Sequence, residues 1–443
     1  MRGSRPIVHE GPMVQQDTDT PRRIALALIG AVLGRRQPLD EALAGHAELA
    51  RVDARDRAFV RALVATTLRR LGQIDDLVGR CMERPLPPTA AQTRNILRVG
   101  ACQILFFEVP AYAAVDTAVN LAQHPRCRPY KALINAVLRR LARDGRMWLK
   151  SQDAARLNTP DWLWRSWRRA YGPETCRRIA EAHLVEPPLD LTARERPETW
   201  SARLGAEILP SGSLRLRPHG PVEQLSGFAE GAWWVQDAAA ALPAALLGEV
   251  RGANVIDLCA APGGKTAQLA ARGARVLAVD RSAGRMQRLK TNLARLGLDA
   301  RIEIADVLRY RPDELADAVF LDAPCSATGT IRRHPDIPRI KRADEIPALA
   351  AIQQRMLRAA LAMVRPGGLV VYAACSLQPE EGAKVVRSFV GRVGAAVRVP
   401  IEADEIGGAA AFVGPEGDLR TLPCHMAEKG GMDGFYACRL RRR

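Results

Sequence analysis

Two cysteines of this 443-residue chain follow strand-like apolar runs. Cys325 comes soon after the run 318–321, and Cys375 comes directly after the run 368–374. Ligands of an open α/β sheet bind beyond the carboxyl ends of its strands, so both thiols should face one site. A single cysteine is usually a small buried apolar residue. Two thiols at equivalent strand ends, beside Asp322, instead indicate covalent catalysis.

A glycine-rich turn lies upstream of both cysteines. The segment 257–266, with the sequence DLCAAPGGKT, follows the apolar run 254–256 and leads into the helical stretch 267–270. This order predicts strand, turn and helix, a layout that aims backbone N–H groups and a helix N-terminus at a bound cofactor. The turn does not match the G-x-G-x-x-G fingerprint, so by itself it does not identify the cofactor.

Two acidic residues after the next two strands narrow the choice of cofactor. Asp280 ends the run 275–279, where a carboxylate can accept both hydroxyl hydrogens of a ribose. Asp306 follows the run 300–304 and is placed to bind an adenine amino group. An acid after a strand is often only a helix cap. Two such acids in series after a glycine turn favour S-adenosylmethionine.

Methyl transfer to a pyrimidine ring explains why thiols would accompany this cofactor. Carbon 5 of a pyrimidine is a poor nucleophile, and a thiolate that adds to carbon 6 makes the ring enamine-like. Addition places electrons on the N3 side, where a protonated carboxyl can stabilise them, and Asp322 is the candidate. A second thiol beside the first can help expel it when the carbon 5 hydrogen leaves.

The composition indicates a polyanionic partner. The chain has 65 basic and 48 acidic residues, a formal net charge of +17. A surplus of this size favours binding to nucleic acid over a merely solubilising surface charge. At 443 residues the chain is too long for one ordinary core, so two or three domains are expected.

The nine cysteines show neither C-x-x-C spacing nor paired histidines. That pattern predicts no metal site and no disulfide framework, and it suits the reducing cytoplasm. The apolar stretch 24–33 is too short to span a bilayer, so we expect no membrane segment. We expect a monomer.

Hydrophobic periodicity divides the chain into four parts. Residues 1–20 are predicted to be a disordered leader, and residues 21–148 an all-α domain with helical spacing throughout. Residues 149–245 mix helices with short strands and predict a small α+β module. From 246 to 443, strands alternate with helices, which predicts a Rossmann-like α/β domain.

Several motifs together resemble the RsmB (Sun/Fmu) family of bacterial 16S ribosomal RNA cytosine carbon-5 methyltransferases. In the C-terminal half they are the glycine turn, DAPCS at 322–326, RRHPD at 332–336, CSL at 375–377 with PEE at 379–381, and DGFY at 433–436. Segment 235–239 resembles the entry to the catalytic domain. Segments 112–116 and 135–139 are similar to the RNA-binding domain of the antiterminator NusB. Ala374 departs from the family, which usually has threonine there.

The resemblance implies roles for individual residues. It makes Cys375 the nucleophile and Cys325 the thiol that aids product release. It implies 16S ribosomal RNA, within a partly assembled subunit or free, as the partner, and it makes residues 21–148 NusB-like and residues 149–245 a ferredoxin- or RRM-like RNA-binding module. It also implies an S-adenosylmethionine site lined by Cys259, Ala260, Ala261, Pro262, Gly263, Gly264, Lys265, Asp280, Asp306 and Asp322.

Three alternatives stay open at this point. A DNA cytosine methyltransferase would use the cysteine of a Pro-Cys motif, here Cys325, as its nucleophile. The methyl acceptor could instead be another RNA. A non-catalytic RNA-binding assembly factor could keep the same fold, although the intact cysteines and glycine turn argue against a loss of catalytic activity.

Overall fold

The computed structural model describes residues 19–216, 220–392 and 394–443. They form two compact units, which divide the chain between Gln152 and Asp153. The predicted leader lies outside the described residues except for Asp19 and Thr20, and Thr20 already begins a helix. The other domain boundaries drawn from the sequence stay predictions.

The first unit is all-α because its apolar residues recur at helical spacing. Its central helix, α5, packs against α1, α3, α4, α6 and α7. Gly100 permits the close approach of α5 to α7, since a Cβ there would lie 2.6 Å from Leu138 Cδ1. The helices are α1 (Thr20–Arg35), α2 (Leu39–Ala44), α3 (Ala54–Arg69), α4 (Leu71–Arg80), α5 (Ala91–Phe106), α6 (Ala111–Leu121) and α7 (Lys131–Lys150).

The second unit begins with three helices and a small antiparallel sheet in the order β2-β3-β1-β4. Leu191, Leu214, Leu216 and Trp233 fill the core beneath this sheet. The elements are α8 (Ala154–Asn158), α9 (Asp161–Tyr171), α10 (Pro173–Ala182), β1 (Leu189–Ala193), α11 (Pro197–Leu204), β2 (Glu207–Ile208), β3 (Leu214–Leu216), β4 (Trp233–Val235) and α12 (Ala238–Ala245).

A buried ionic cluster ties the small sheet to the rest of the second unit. Asp190 accepts two hydrogen bonds of 2.7 Å from Arg215 and one of 3.0 Å from the Ala238 N–H. Arg333 in turn reaches Asp237 at 2.5 Å and Asp433 at 3.3 Å. Each carboxylate therefore has a charged partner, which a buried charge requires.

The large sheet has the order β10-β12-β9-β8-β5-β6-β7, with β11 paired to β12. Strands β5 to β9 run parallel, and β12 is antiparallel to β9. The elements are β5 (Asn254–Leu258), α13 (Gly264–Ala271), β6 (Arg275–Asp280), α14 (Ala283–Leu296), β7 (Arg301–Ile304), β8 (Ala316–Asp322), α15 (Ile337–Ile340), α16 (Ile346–Met363), β9 (Val364–Ala374), α17 (Ala383–Arg392), β10 (Ala396–Val399), β11 (Leu419–Arg420) and β12 (Tyr436–Arg442).

The strand order reverses direction between β5 and β8, since the chain moves outward from β5 to β7 and then returns to β8. In sheets of this kind, the crevice at that switch point is where ligands bind. The all-α first unit, the small α+β part and the doubly wound sheet confirm the predicted fold class. No helix in the described part of the chain is both long and apolar enough to cross a membrane.

Candidate active site

The turn after β5 is held in a shape that only glycine permits at one position. Gly263 has φ +104°, and a Cβ there would lie 2.8 Å from Leu289 Cγ. The helix α13 starts at the next residue, so its unpaired N–H groups lie at the switch point. Asp257 is fully buried, and its Oδ2 accepts a 2.6 Å hydrogen bond from Thr266 Oγ1. Burial raises the pKa of Asp257 to about 7.

Asp280 and Asp306 stand at the ends of β6 and β7, as the sequence predicted. Asp280 accepts hydrogen bonds from the N–H groups of Ser282, at 2.9 Å, and Ala261, at 3.3 Å, so it ties its strand end to the glycine turn. Asp306 is exposed and accepts a 2.9 Å bond from the Leu308 N–H. A carboxylate offers about four acceptor positions, so both retain capacity for a ligand.

These observations fit an adenosyl cofactor. The Gly263 turn, where a Cβ would collide with Leu289, carries a helix N-terminus, and two carboxylates with free acceptor positions follow the neighbouring strands. Cys259, at the start of the turn, has φ +61° and is half-buried. Ala260 and Ala261 are buried, and the peptide bond from Ala261 to Pro262 is cis.

The two cysteines singled out in the sequence meet beyond the ends of β8 and β9. Cys325 Sγ lies 3.4 Å from Cys375 Sγ, within hydrogen-bond distance for sulfur. Both side chains are half-buried. The loops that carry them are joined by a 3.0 Å bond from the Gly329 N–H to the Cys375 carbonyl. The predicted juxtaposition of two thiols is therefore present in the structure.

Lys265 joins the glycine turn to the cysteines. Its Nζ donates a 2.7 Å hydrogen bond to Asp322 Oδ2 and lies 5.1 Å from the centre of the Phe435 ring. Burial alone would lower the pKa of Lys265, but the Asp322 carboxylate and, more weakly, Cys375 raise it above its ordinary value. The sequence assigned Lys265 only to the cofactor turn, so this second position was missed. No local pattern connects residues 57 positions apart.

Electrostatics distinguish the two thiols. The hydrogen bond with Cys375, followed by burial, raises the pKa of Cys325 well above its ordinary value. Cys325 is thus kept as a protonated thiol within hydrogen-bond distance of its neighbour. The Cys375 sulfur interacts with the Lys265 ammonium and helps to raise the pKa of that ammonium. The two thiols therefore differ in their charged neighbours.

Helix α9 braces the loop that follows Cys375. Tyr171 OH donates a 2.6 Å hydrogen bond to the Leu377 carbonyl, and Ser166 Oγ donates a 2.5 Å bond to Gln378 Oε1. Sequence reasoning gave α9 no part in the site, because the link runs across more than 200 residues. In the described residues, no cluster of histidine, cysteine and acidic side chains could hold a metal ion.

Comparisons with known proteins show which family the chain resembles. Residues 244–441 match the model of the family described as 16S rRNA methyltransferase RsmB/F, and residues 19–143 match the NusB family. Ribosomal RNA small subunit methyltransferase B of Pseudomonas putida is 35% identical over 440 residues, covering 95% of this chain and 98% of that relative. The Vibrio cholerae protein of the same name is 37% identical over 359 residues, covering 76% and 82%.

Solved structures share the fold. PH0851 superposes with a TM-score of 0.75 at 23% identity, covering 95% of this chain and 99% of that one. NSun6 from Pyrococcus horikoshii, solved with SFG, has a TM-score of 0.54 at 19% identity and covers 64% and 98%. The methyltransferase match over the large sheet confirms S-adenosylmethionine as the cofactor. The chain belongs to the RsmB/F family of 16S rRNA methyltransferases.

Proposed function

We propose that this chain methylates carbon 5 of a cytosine in 16S ribosomal RNA, with Cys375 as nucleophile and Cys325 assisting product release. The observation that carries the proposal is the 3.4 Å contact between the two sulfur atoms, beside the pair of Lys265 and Asp322. The names of the relatives and the net charge of +17 support ribosomal RNA as the substrate. We further propose that the protein acts in the cytoplasm.

Cys375 is the better nucleophile of the two thiols. We assign the attack to Cys375 because Cys325 holds its proton tightly, its pKa being raised by the contact with Cys375 and by burial. The Lys265 ammonium also interacts with Cys375 and not with Cys325 among the causes that shift its pKa. A thiolate, and not a thiol, is the attacking species. The Cys375 sulfur forms a bond to carbon 6, and the displaced electron pair moves through carbon 5 towards N3.

The pair of Lys265 and Asp322 supplies the proton that N3 then needs. The ammonium donates to the carboxylate at 2.7 Å, so a proton can pass to N3 through Asp322. Asp322 remains the carboxyl that stabilises N3, and Lys265 is the source of its proton. Bound S-adenosylmethionine supplies the methyl group, as a sulfonium electrophile, to carbon 5.

Release requires an acid at the Cys375 sulfur and a base at carbon 5. Cys325 gives its proton to the departing sulfur, and the thiolate so formed takes the hydrogen of carbon 5 as a proton. The electrons of that C–H bond form the double bond between carbons 5 and 6. The bond from carbon 6 to sulfur breaks with its electron pair on Cys375, and N3 returns its proton to Asp322.

Two cysteine variants test the proposal. Cys375→Ala should abolish methyl transfer, measured by bisulfite sequencing of 16S RNA after incubation with the protein and S-adenosylmethionine. Cys325→Ala should instead accumulate a protein–RNA adduct that survives a denaturing gel. An adduct that requires Cys325 and persists without Cys375 would reverse the assignment. The nucleophile would then be the cysteine of the Pro-Cys motif, as in DNA cytosine methyltransferases.

A further inference from the structure

A buried carboxylate lies next to the two loops that carry Cys325 and Cys375. Glu381 ends a short 3-10 turn, Pro379–Glu381, and its side chain is 0% exposed. Burying a charge is costly unless hydrogen bonds compensate for lost hydration. The mechanism above gives Glu381 no role, so its contacts need a separate explanation.

Both carboxylate oxygens of Glu381 are fully used. Oε1 accepts hydrogen bonds from the Ser326 N–H at 2.8 Å and from Gln353 Nε2 at 3.2 Å. Oε2 accepts from Ser376 Oγ at 2.6 Å and from Ser326 Oγ. Charge-assisted bonds of this kind are roughly twice as strong as neutral ones. The turn is itself fixed, because Tyr372 OH donates to the Glu381 carbonyl at 2.6 Å.

The two serines are the residues that directly follow the two cysteines. Ser326 follows Cys325 on the loop after β8, and Ser376 follows Cys375 on the loop after β9. One carboxylate therefore bonds to both loops next to their reactive side chains. Gln353 strengthens this link, since the same amide nitrogen also donates to the carbonyl of Pro324, the residue before Cys325, at 3.0 Å.

We propose that Glu381 is a positioning residue that holds Cys325 and Cys375 at the separation needed for proton transfer between their sulfur atoms. This inference rests on the proposed function, because it assigns the contact between the thiols to product release. Without the carboxylate, the two loops lose their common hydrogen-bond acceptor. The sulfur atoms are then free to move apart, and a displacement of about 1 Å can cost on the order of 10²-fold in rate.

The charge of Glu381 acts in the same direction as its geometry. The pKa of Cys325 is raised by the hydrogen bond with Cys375, by burial, by the charge of Cys375 and then by the charge of Glu381. The carboxylate thus helps to keep Cys325 protonated, which is the form that can donate to a departing sulfur. Hydrogen bonding and charge both favour Cys325 as the thiol that assists product release.

Glu381→Gln tests the proposal, and Glu380→Gln is the matched control. Glu380 is the preceding residue, but its side chain is 40% exposed and pairs with Lys384 at 2.7 Å. We expect Glu381→Gln to lower kcat by about 10²-fold with KM for RNA and for S-adenosylmethionine unchanged, and to accumulate the covalent adduct. The control should match the unsubstituted protein in kcat, KM and adduct level.

A second measurement needs no RNA. The rate at which iodoacetamide labels Cys325 is measured over a pH series, with mass spectrometry of the Cys325 peptide. The pH at which this rate rises should be lower in Glu381→Gln and unchanged in Glu380→Gln. If cytosine methylation proves absent in the unsubstituted protein, the proposed function fails while this labelling still reports on Glu381. Equal kcat, adduct level and labelling profile in the two variants would overturn the inference.

Ser376→Ala covers the case in which Glu381→Gln fails to fold. It removes the 2.6 Å hydrogen bond to Glu381 and the 3.0 Å bond that Ser376 Oγ accepts from the Gln378 N–H, but it keeps the buried carboxylate and its other donors. We expect kcat to fall by about 10-fold with some adduct accumulation, in a protein that still unfolds cooperatively. A kcat equal to that of the unsubstituted protein would contradict a positioning role for the carboxylate.

Discussion

Replacing Lys265 by methionine probes the electrostatic centre of the site. The methionine side chain is nearly as long but uncharged, so Asp322 loses a 2.7 Å charge-assisted hydrogen bond and Cys375 loses its interaction with the Lys265 ammonium. Hydrogen bonds to charged groups are worth about 1.5–3 kcal/mol. If that energy is realised in the transition state, kcat should fall by about 10- to 150-fold.

Lys265 keeps its charge throughout the neutral pH range. The pKa of Lys265 is raised above its ordinary value of 10.5, so the ammonium stays charged throughout the neutral range and loses its proton only above that value. Lys265→Met therefore removes the same charge at every pH of a normal assay. The fold loss in kcat should be constant across the neutral range.

Lys384→Met is the matched control for this experiment. Lys384 also pairs with a carboxylate at 2.7 Å, that of Glu380, but its side chain is 59% exposed. Exposed pairs contribute little, so the rate and its pH profile should not change. A Lys265→Met protein that alters only the KM for S-adenosylmethionine, with kcat intact, would refute the electrostatic reasoning.

Three further predictions concern the framework of the site. Gly263→Ala should weaken S-adenosylmethionine binding in calorimetry and lower the free energy of unfolding by about 1–3 kcal/mol. The reason is that the backbone has φ +104° and a Cβ would lie 2.8 Å from Leu289 Cγ. Unchanged affinity would contradict this prediction. Asp190→Ala should destabilise the protein by about 3–5 kcal/mol in chemical unfolding, because it leaves the buried Arg215 without its carboxylate. Adding Arg215→Met should recover part of the loss. Equal stability of the single and double variants would argue against an ionic origin. Burial raises the pKa of Asp257 from its ordinary value of 3.8 to about 7, so the folded protein favours the protonated carboxyl. The stabilisation from this proton is complete below pH 3.8 and is lost as the pH rises through 7. Asp257→Asn should therefore show a smaller drop in melting temperature than the unsubstituted protein between pH 5 and pH 8, and parallel curves would count against the raised pKa.

Residues at strand ends were the part of the site that sequence could predict. Cys325, Cys375, Asp280 and Asp306 each follow an apolar run, and parallel strands bring their carboxyl ends to one edge. Periodicity also gave the all-α character of the first unit. The strand order was not predicted, because alternation of strands and helices does not fix which strands are neighbours.

Contacts across long sequence separations could not be predicted in this way. The bond from Lys265 to Asp322 and the bonds from Glu381 to Ser326 span 57 and 55 positions, and they depend on how two loops pack after folding. Short strands such as β2, with only two residues, leave almost no periodic signal. A carboxylate in the turn after Cys375 was visible as PEE, but which of its two acids is buried was not.

The ionic cluster around Asp190 determines how far the chain can be shortened. A fragment that starts at residue 246 would keep the whole large sheet, yet it would lose Asp190 and Asp237, the partners of Arg333. The guanidinium would then depend on Asp433 alone among the acids described around it. Attempts to express a minimal enzyme should therefore retain the segment from β1 onward, because the acids that compensate the charge of Arg333 begin there.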